Sequence, residues 1–287
     1  MAEDYSRCFT IPYLPSAASV PNRSAQFDSV IDQLSTLCWA HYEDSNTHHS
    51  NHHHSLYVGS LGPCAYVRYR LAQSLSWKTD QDRKRQLLRD ASRAVDIVLE
   101  SEPMCRGMRI TLLEGGRVGA LALSAAIHES LRYVDGDSAE LIAVRAKSEL
   151  LDVGNQYVAQ KLPPSESEVL YGRAGYLQAI AFVISETNDA DFGKALVQKI
   201  LKDIVAEGEN VAVESGSYFP LLWEWHGKAY LGAIHGVAGI LFTLLCFYEE
   251  VSLIEGAIGK IKATIAKLDE LCFASGNLKS SLGSEKE

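Results

Sequence analysis

The segment YLGAIHGVAGILFTLL, residues 230–245, sets His235 among Gly232, Gly236 and Gly239 in an otherwise apolar run. An imidazole titrates near neutral pH and can give or take a proton in a reaction. A histidine hydrogen-bonded at a crowded helix start would have the same neighbours, so the residues alone leave both readings open. Just upstream, LLWEWHGKAY brings Trp223, Glu224, Trp225, His226 and Lys228 together. Such residues can wall a substrate entrance and orient polar groups, or cap a packed loop. Arg173, within GRAG between Gly172 and Gly175, stands at a predicted helix start. Helix N-termini and guanidinium groups both suit an anionic substrate or carboxylate, and a salt bridge between neighbouring repeats would use the same residue. His128 in LALSAAIHESL has no second ligand at matching helical spacing and reads as structural or exposed.

Metal chemistry has weaker signals. Cys8, Cys38, Cys64, Cys105, Cys246 and Cys272 are scattered without CxxC spacing, which favours reduced thiols over a disulfide framework. Cys246 follows His235 by about three helical turns, too far for both to reach one ion. Five histidines between His48 and His54 sit in the polar stretch EDSNTHHSNHHHS, residues 43–55; composition makes this an exposed low-complexity loop before it makes it a metal site.

Composition bounds the partners. The 287 residues include 47% hydrophobic side chains, enough for a substantial core, and 27 Lys and Arg against 36 Asp and Glu give a formal charge of -9. Without a dense basic block, nucleic acid and anionic bilayers are poor partners. The N-terminus has no basic-then-apolar leader, and the apolar run ending at Tyr248 is a marginal length for a membrane span and holds His235 and several glycines. It reads as a buried helix. A cytoplasmic protein is expected, with peripheral membrane association left open.

The elements that must position these residues come in repeats. Residues 1–24 carry Pro12, Pro15 and Pro21 and read as an extended arm, followed by one domain over 25–287 whose first helix is FDSVIDQLSTLCWAHY. Glycine pairs Gly59/Gly62, Gly116/Gly119, Gly172/Gly175 and Gly236/Gly239 each precede an apolar helical run, with spacings of 57, 56 and 64 residues. That length holds two helices and their connections. The intervening stretches, at 81–100, 138–160, 192–215 and 255–273, are amphipathic. An inner helical layer starting at the glycine pairs and a charged outer layer follow, with no competing strand pattern. Glycine three residues apart near a helix start permits a turn and a close backbone approach that a Cβ would block.

LYGRAGYL, PLLWEWHGKAYLGAIHGVAGI and FASGN, in this order, resemble the lanthionine synthetase C-like family, most closely its plant members, from about Leu56 to Asn277, with a short echo at RCFTIPY. The resemblance implies an all-α fold, an α/α toroid of seven inner and seven outer helices, with four glycine units visible here and hence an incomplete ring. It implies a zinc site in full-length members and addition of glutathione or another thiol to dehydroalanine or dehydrobutyrine residues through a zinc-activated thiolate. By the same resemblance, His235 is the cavity acid or base and Arg7 a candidate substrate-binding residue, while Arg173 is a substrate-binding candidate on its helix-start chemistry alone. Arg117 departs from the family's second block and fits helix-start electrostatics.

The family's zinc ligands come from a Trp-Cys-His-Gly block and a later Cys-His-Gly block, and neither occurs in this sequence. The expectation is therefore a chain truncated before those blocks, with no cofactor of its own and an open toroid end prone to self-association. Glutathione and a dehydroamino-acid peptide or protein are the partners implied for a complete form. A helical-repeat binding or signalling protein without catalysis is the alternative, and a receptor-like membrane-associated role a third.

Overall fold

The computed structural model describes residues 54–101, 110–158, 162, 163 and 165–285, together with eight helical positions within 30–40. The arm at 1–24, with Arg7, and the histidine-rich stretch up to His53 lie outside the described residues. A π-helical turn, Gly62–Tyr66, leads into α1 (Val67–Ser74). Next come α2 (Gln81–Ser101), α3 (Gly116–Asp135) and α4 (Asp137–Val153), the last extended by a π-helical turn at Gly154–Val158. The second half contains α5 (Arg173–Thr187), α6 (Lys194–Glu214), α7 (Val237–Cys246), α8 (Tyr248–Ser252) and α9 (Ala257–Asp269). Among the described residues, β-structure is limited to three isolated bridges. The all-α expectation holds.

Two helical layers arise from two burial patterns. In α2, Lys84, Leu87, Leu88, Ala91, Ala94, Val95 and Val98 are the buried positions, one stripe at helical period under a charged outer face. By contrast, α3 and α5 are buried over most of their circumference, as inner helices must be. The inner helices pack in succession, α3 on α5 and α5 on α7, while each also packs on its outer partner. Because α3 sits between neighbours, its two sides serve two cores. Ala120, Leu123, Ala126 and Ile127 face the cluster built on α1 and α2, and Val118, Leu121, Ala122 and Ala125 face the larger cluster built on α4 to α9.

The second glycine of every pair has one steric reason. A Cβ on Gly62 would lie 2.6 Å from the Leu56 carbonyl oxygen, and one on Gly119 would lie 2.8 Å from that of Leu112. On Gly175 and Gly239 it would press still closer on the carbonyls of Val169 and Ala233. Each turn thus folds its own carbonyl onto the following helix, which an alanine would prevent.

These turns also bond to one another. Leu56 and Tyr57 donate main-chain N–H groups to Leu113 O at 2.9 and 3.0 Å, Leu112 N donates to Gly175 O at 3.1 Å, and Val169 N donates to Ile234 O at 3.0 Å. Thr111 Oγ1 adds a bond to Leu170 O at 2.6 Å. All four glycine turns therefore stand side by side at one end of the inner layer.

One expectation needs correction. The apolar run over 230–248 is half loop: residues 231–236 form the glycine turn, and α7 ends at Cys246 because Phe247 leaves helical geometry at φ -116°, ψ 46°. None of the described helices is long and apolar enough to cross a membrane.

Candidate functional site

His235 occupies the turn before α7, and Glu168 the corresponding turn before α5. The Val169 N to Ile234 O bond joins these turns next to both residues. As a result His235 Nδ1 lies 2.7 Å from Glu168 Oε2. The carboxylate is itself held: Oε2 accepts from Leu170 N at 2.9 Å, and Oε1 accepts from Tyr171 N. Its side chain is 2% exposed, against 27% for His235. A carboxylate on Nδ1 selects the Nδ1–H tautomer of a neutral imidazole and leaves Nε2 as the nitrogen that can exchange a proton.

Aromatic rings fix the imidazole plane. Trp225 stacks on His235 with centroids 4.0 Å apart and planes 5° from parallel, and Tyr230 packs at 6.1 Å. Tyr171 lies 6.0 Å from Trp225 in near-parallel orientation. Trp225 is presented by a two-residue hairpin, in which Trp225 and Lys228 exchange main-chain bonds of 3.0 and 3.2 Å. A type I′ turn has positive φ at both central residues, and His226 (φ 50°) and Gly227 (φ 69°) supply it. For histidine that conformation is uncommon. The Trp225 Nε1–H is buried and meets no hydrogen-bond acceptor among the described residues, and Lys228 Nζ sits 4.9 Å over the Tyr230 ring.

The extended segment behind the site is anchored to the outer helix α6. Trp223 Nε1 donates to Ile204 O at 2.9 Å, and Leu222 N donates to Gly208 O at 2.9 Å. At the other end, the closing segment runs back along the hairpin: Leu231 N donates to Ser280 O at 3.1 Å, and Leu282 N donates to Ala229 O at 2.8 Å.

The other residues singled out in the sequence lie elsewhere. Arg173 is buried, and its guanidinium donates to the carbonyls of Pro163 at 2.7 Å, Leu162 at 2.9 Å and Glu166 at 3.3 Å. Its placement is that of a loop clamp, and a substrate-facing orientation finds no support in it. Arg117 joins α3 to α4 through Glu149 at 2.6 Å. His128 is buried with Nδ1 2.9 Å from Ser124 O. Glu168 had no sequence signal: it is one of two acidic residues in SESEVLYGRAG, and only the pairing of two distant turns brings His235 to it.

A zinc site requires several convergent donors. Among the described residues no group of three His, Cys, Asp or Glu side chains can hold a metal ion. Cys64 is buried within the α1–α2 cluster and Cys246 is exposed on α7, while the nitrogen of His235 nearest another donor is engaged by Glu168. Cys8 and Cys105 lie outside the described residues. The donor set described here does not fit zinc.

Comparison with known proteins places this geometry in context. Residues 50–286 match the family model described as lanthionine synthetase C-like protein. A zebrafish (Danio rerio) protein, Glutathione S-transferase LANCL1, is 28% identical over 203 residues. The aligned region covers 68% of this chain and 46% of the zebrafish protein, so the chain spans about half the length of that relative.

Proposed function

We propose that this chain, which belongs to the lanthionine synthetase C-like family, uses His235 to move a proton during addition of a thiol to a dehydroamino-acid residue. The similarity to a glutathione S-transferase supports glutathione as the thiol. The supporting observation is the His235–Glu168 pair, with its buried carboxylate on Nδ1 and its imidazole partly open to solvent.

The chemistry balances with one shuttled proton. The thiol sulfur bonds to the β-carbon of dehydroalanine or dehydrobutyrine, the carbon–carbon π pair moves toward the α-carbon and carbonyl, and the thiol proton is released. Nε2 of His235, unprotonated in the resting tautomer, accepts the proton the thiol releases and then delivers it to the α-carbon, giving a thioether with no net proton change. Glu168 holds the Nδ1 proton throughout and keeps the ring oriented. Trp225 covers one ring face and so fixes the plane in which Nε2 exchanges its proton. In zinc-bearing members of the family, the metal is implied to ionise the thiol.

The poor fit to zinc favours a second reading, in which the chain binds a dehydroamino-acid peptide without transferring a thiol. One experiment separates the two. Mass spectrometry follows glutathione addition to a dehydroalanine peptide by the 287-residue chain and by its His235→Asn variant, with peptide affinity measured in parallel. The expected result is a loss of about 10²- to 10⁴-fold in rate, the ordinary range for a general acid or base, with little change in affinity. Equal rates would reject the proton-transfer role, and binding with no addition by the natural chain would favour the second reading.

A further inference from the structure

The residues preceding α5 point alternately into two environments. Glu168 reaches His235, whereas the adjacent Ser167 donates its Oγ–H to Glu207 Oε2 on α6, and both members of that second bond are buried. Main-chain bonds continue the attachment: Arg173 N donates to Glu166 O at 2.9 Å, and Ala174 N donates to Ser167 O at 3.2 Å. Arg173 then closes the loop from the side through the carbonyls at 162, 163 and 166.

The same face of α6 secures the aromatic half of the site. One turn contains Ile204, Glu207 and Gly208, where Ile204 O accepts from the Trp223 indole and Gly208 O accepts from Leu222 N. Gly208 leaves space for the Trp223 ring: a Cβ there would meet that ring at 2.5 Å. Trp225 follows two residues later. A single turn of an outer helix, remote in sequence from both inner turns, thus sets the distance between the Glu168 loop and the Trp225 hairpin.

Burying a carboxylate and a guanidinium to hold a loop is costly unless the bonds they make are worth more than their hydration. Glu207 Oε1 is buried without a hydrogen-bond partner, so this carboxylate is not there to maximise stability. What it does is restrict Ser167 to one position, and Ser167 is bonded in sequence to the residue that orients His235.

We propose that Glu207 and Arg173 are positioning residues for the His235–Glu168 pair, acting through Ser167 and the main chain of residues 165–168. The contribution to thiol addition rests on the function proposed above, whereas the effect on the imidazole can be read without any reaction.

The test uses the whole chain labelled with ¹⁵N-histidine, its His235 signal assigned by comparison with His235→Asn. The natural chain is expected to show the Nδ1–H tautomer at His235, and Glu168→Ala to lose it. Ser167→Ala, Glu207→Ala and Arg173→Lys should each lose that signature while circular dichroism stays helical, and Glu207→Gln, which keeps an oxygen acceptor for Ser167, should restore it. Natural tautomer signals in Ser167→Ala and Arg173→Lys would overturn the proposal, as would a loss in Glu207→Gln as complete as in Glu207→Ala. Unchanged thiol addition by His235→Asn would reject the proposed function instead, leaving the positioning result standing.

Discussion

Glu207 carries its carboxyl group inside the protein, and burial pushes its pKa up from 4.5 to about 7 against the opposing pull of Ser167 and Arg173. Glu166, its neighbour across the loop, is raised for the same reason and adds repulsion. Between about pH 4.5 and 7 the folded chain retains a proton that the unfolded chain has released, so folding stability falls as pH rises through this window. An upper bound is on the order of 3 kcal/mol. Glu207→Gln is neutral at every pH and should flatten that decline; urea unfolding midpoints at pH 5, 6, 7 and 8 measure it, and an equal slope in both proteins would show that Glu207 does not titrate here. His235 illustrates the same scale from the exposed side, where one hydrogen bond from a buried partner selects the ring nitrogen left for chemistry.

Among the elements, the glycine turns hold the site more tightly than the helices that follow them. A Cβ on Gly175 would collide with Val169 O and with the Thr111 side chain. Val169 is the residue that bonds to Ile234, and it follows Glu168 directly, so the collision would be passed into the pair. Gly175→Ala is expected to cost about 1–3 kcal/mol or more, the usual penalty for overpacking, and to lower the denaturant midpoint. Gly259, early in α9, has nothing within 4 Å of a Cβ; Gly259→Ala should instead stabilise by about 0.5–1 kcal/mol through helix propensity. Two substitutions of one type with opposite signs distinguish close approach from helix composition. Equal shifts would mean that the turns can yield.

At the scale of the whole molecule, four helix pairs among the described residues share one end at which their turns are bonded in series, and the candidate site lies between the third and fourth turns. Beyond the fourth turn, Phe242, Leu245, Tyr248 and Leu253 on α7, α8 and the following turn are exposed. Apolar side chains gathered in this way favour association. Sedimentation velocity of the 287-residue chain is therefore expected to show a weight-average size that grows with concentration, and Phe242→Glu with Leu245→Glu should suppress the growth. A concentration-independent monomer in the natural chain would contradict this expectation.

Periodicity alone determined the helical layers, because the interior of a helix pair needs an apolar stripe and its surface does not: the positions of α2, α4, α6 and α9 follow from their amphipathic spacing. The glycine pairs likewise announced the turns, since no other side chain is small enough for the carbonyl that folds over each of them. The helix reading failed at 230–236, where local apolar composition is common to a buried turn and a buried helix. His235 was visible as an imidazole among glycines, but Glu168 was not, and Arg173 offered a charge without a direction. Those assignments belong to the tertiary structure. Glu168 and His235 are separated by 66 intervening residues, and only the packing of one inner helix on the next brings a carboxylate to Nδ1, just as only the docking of α6 turns a buried glutamate toward Ser167.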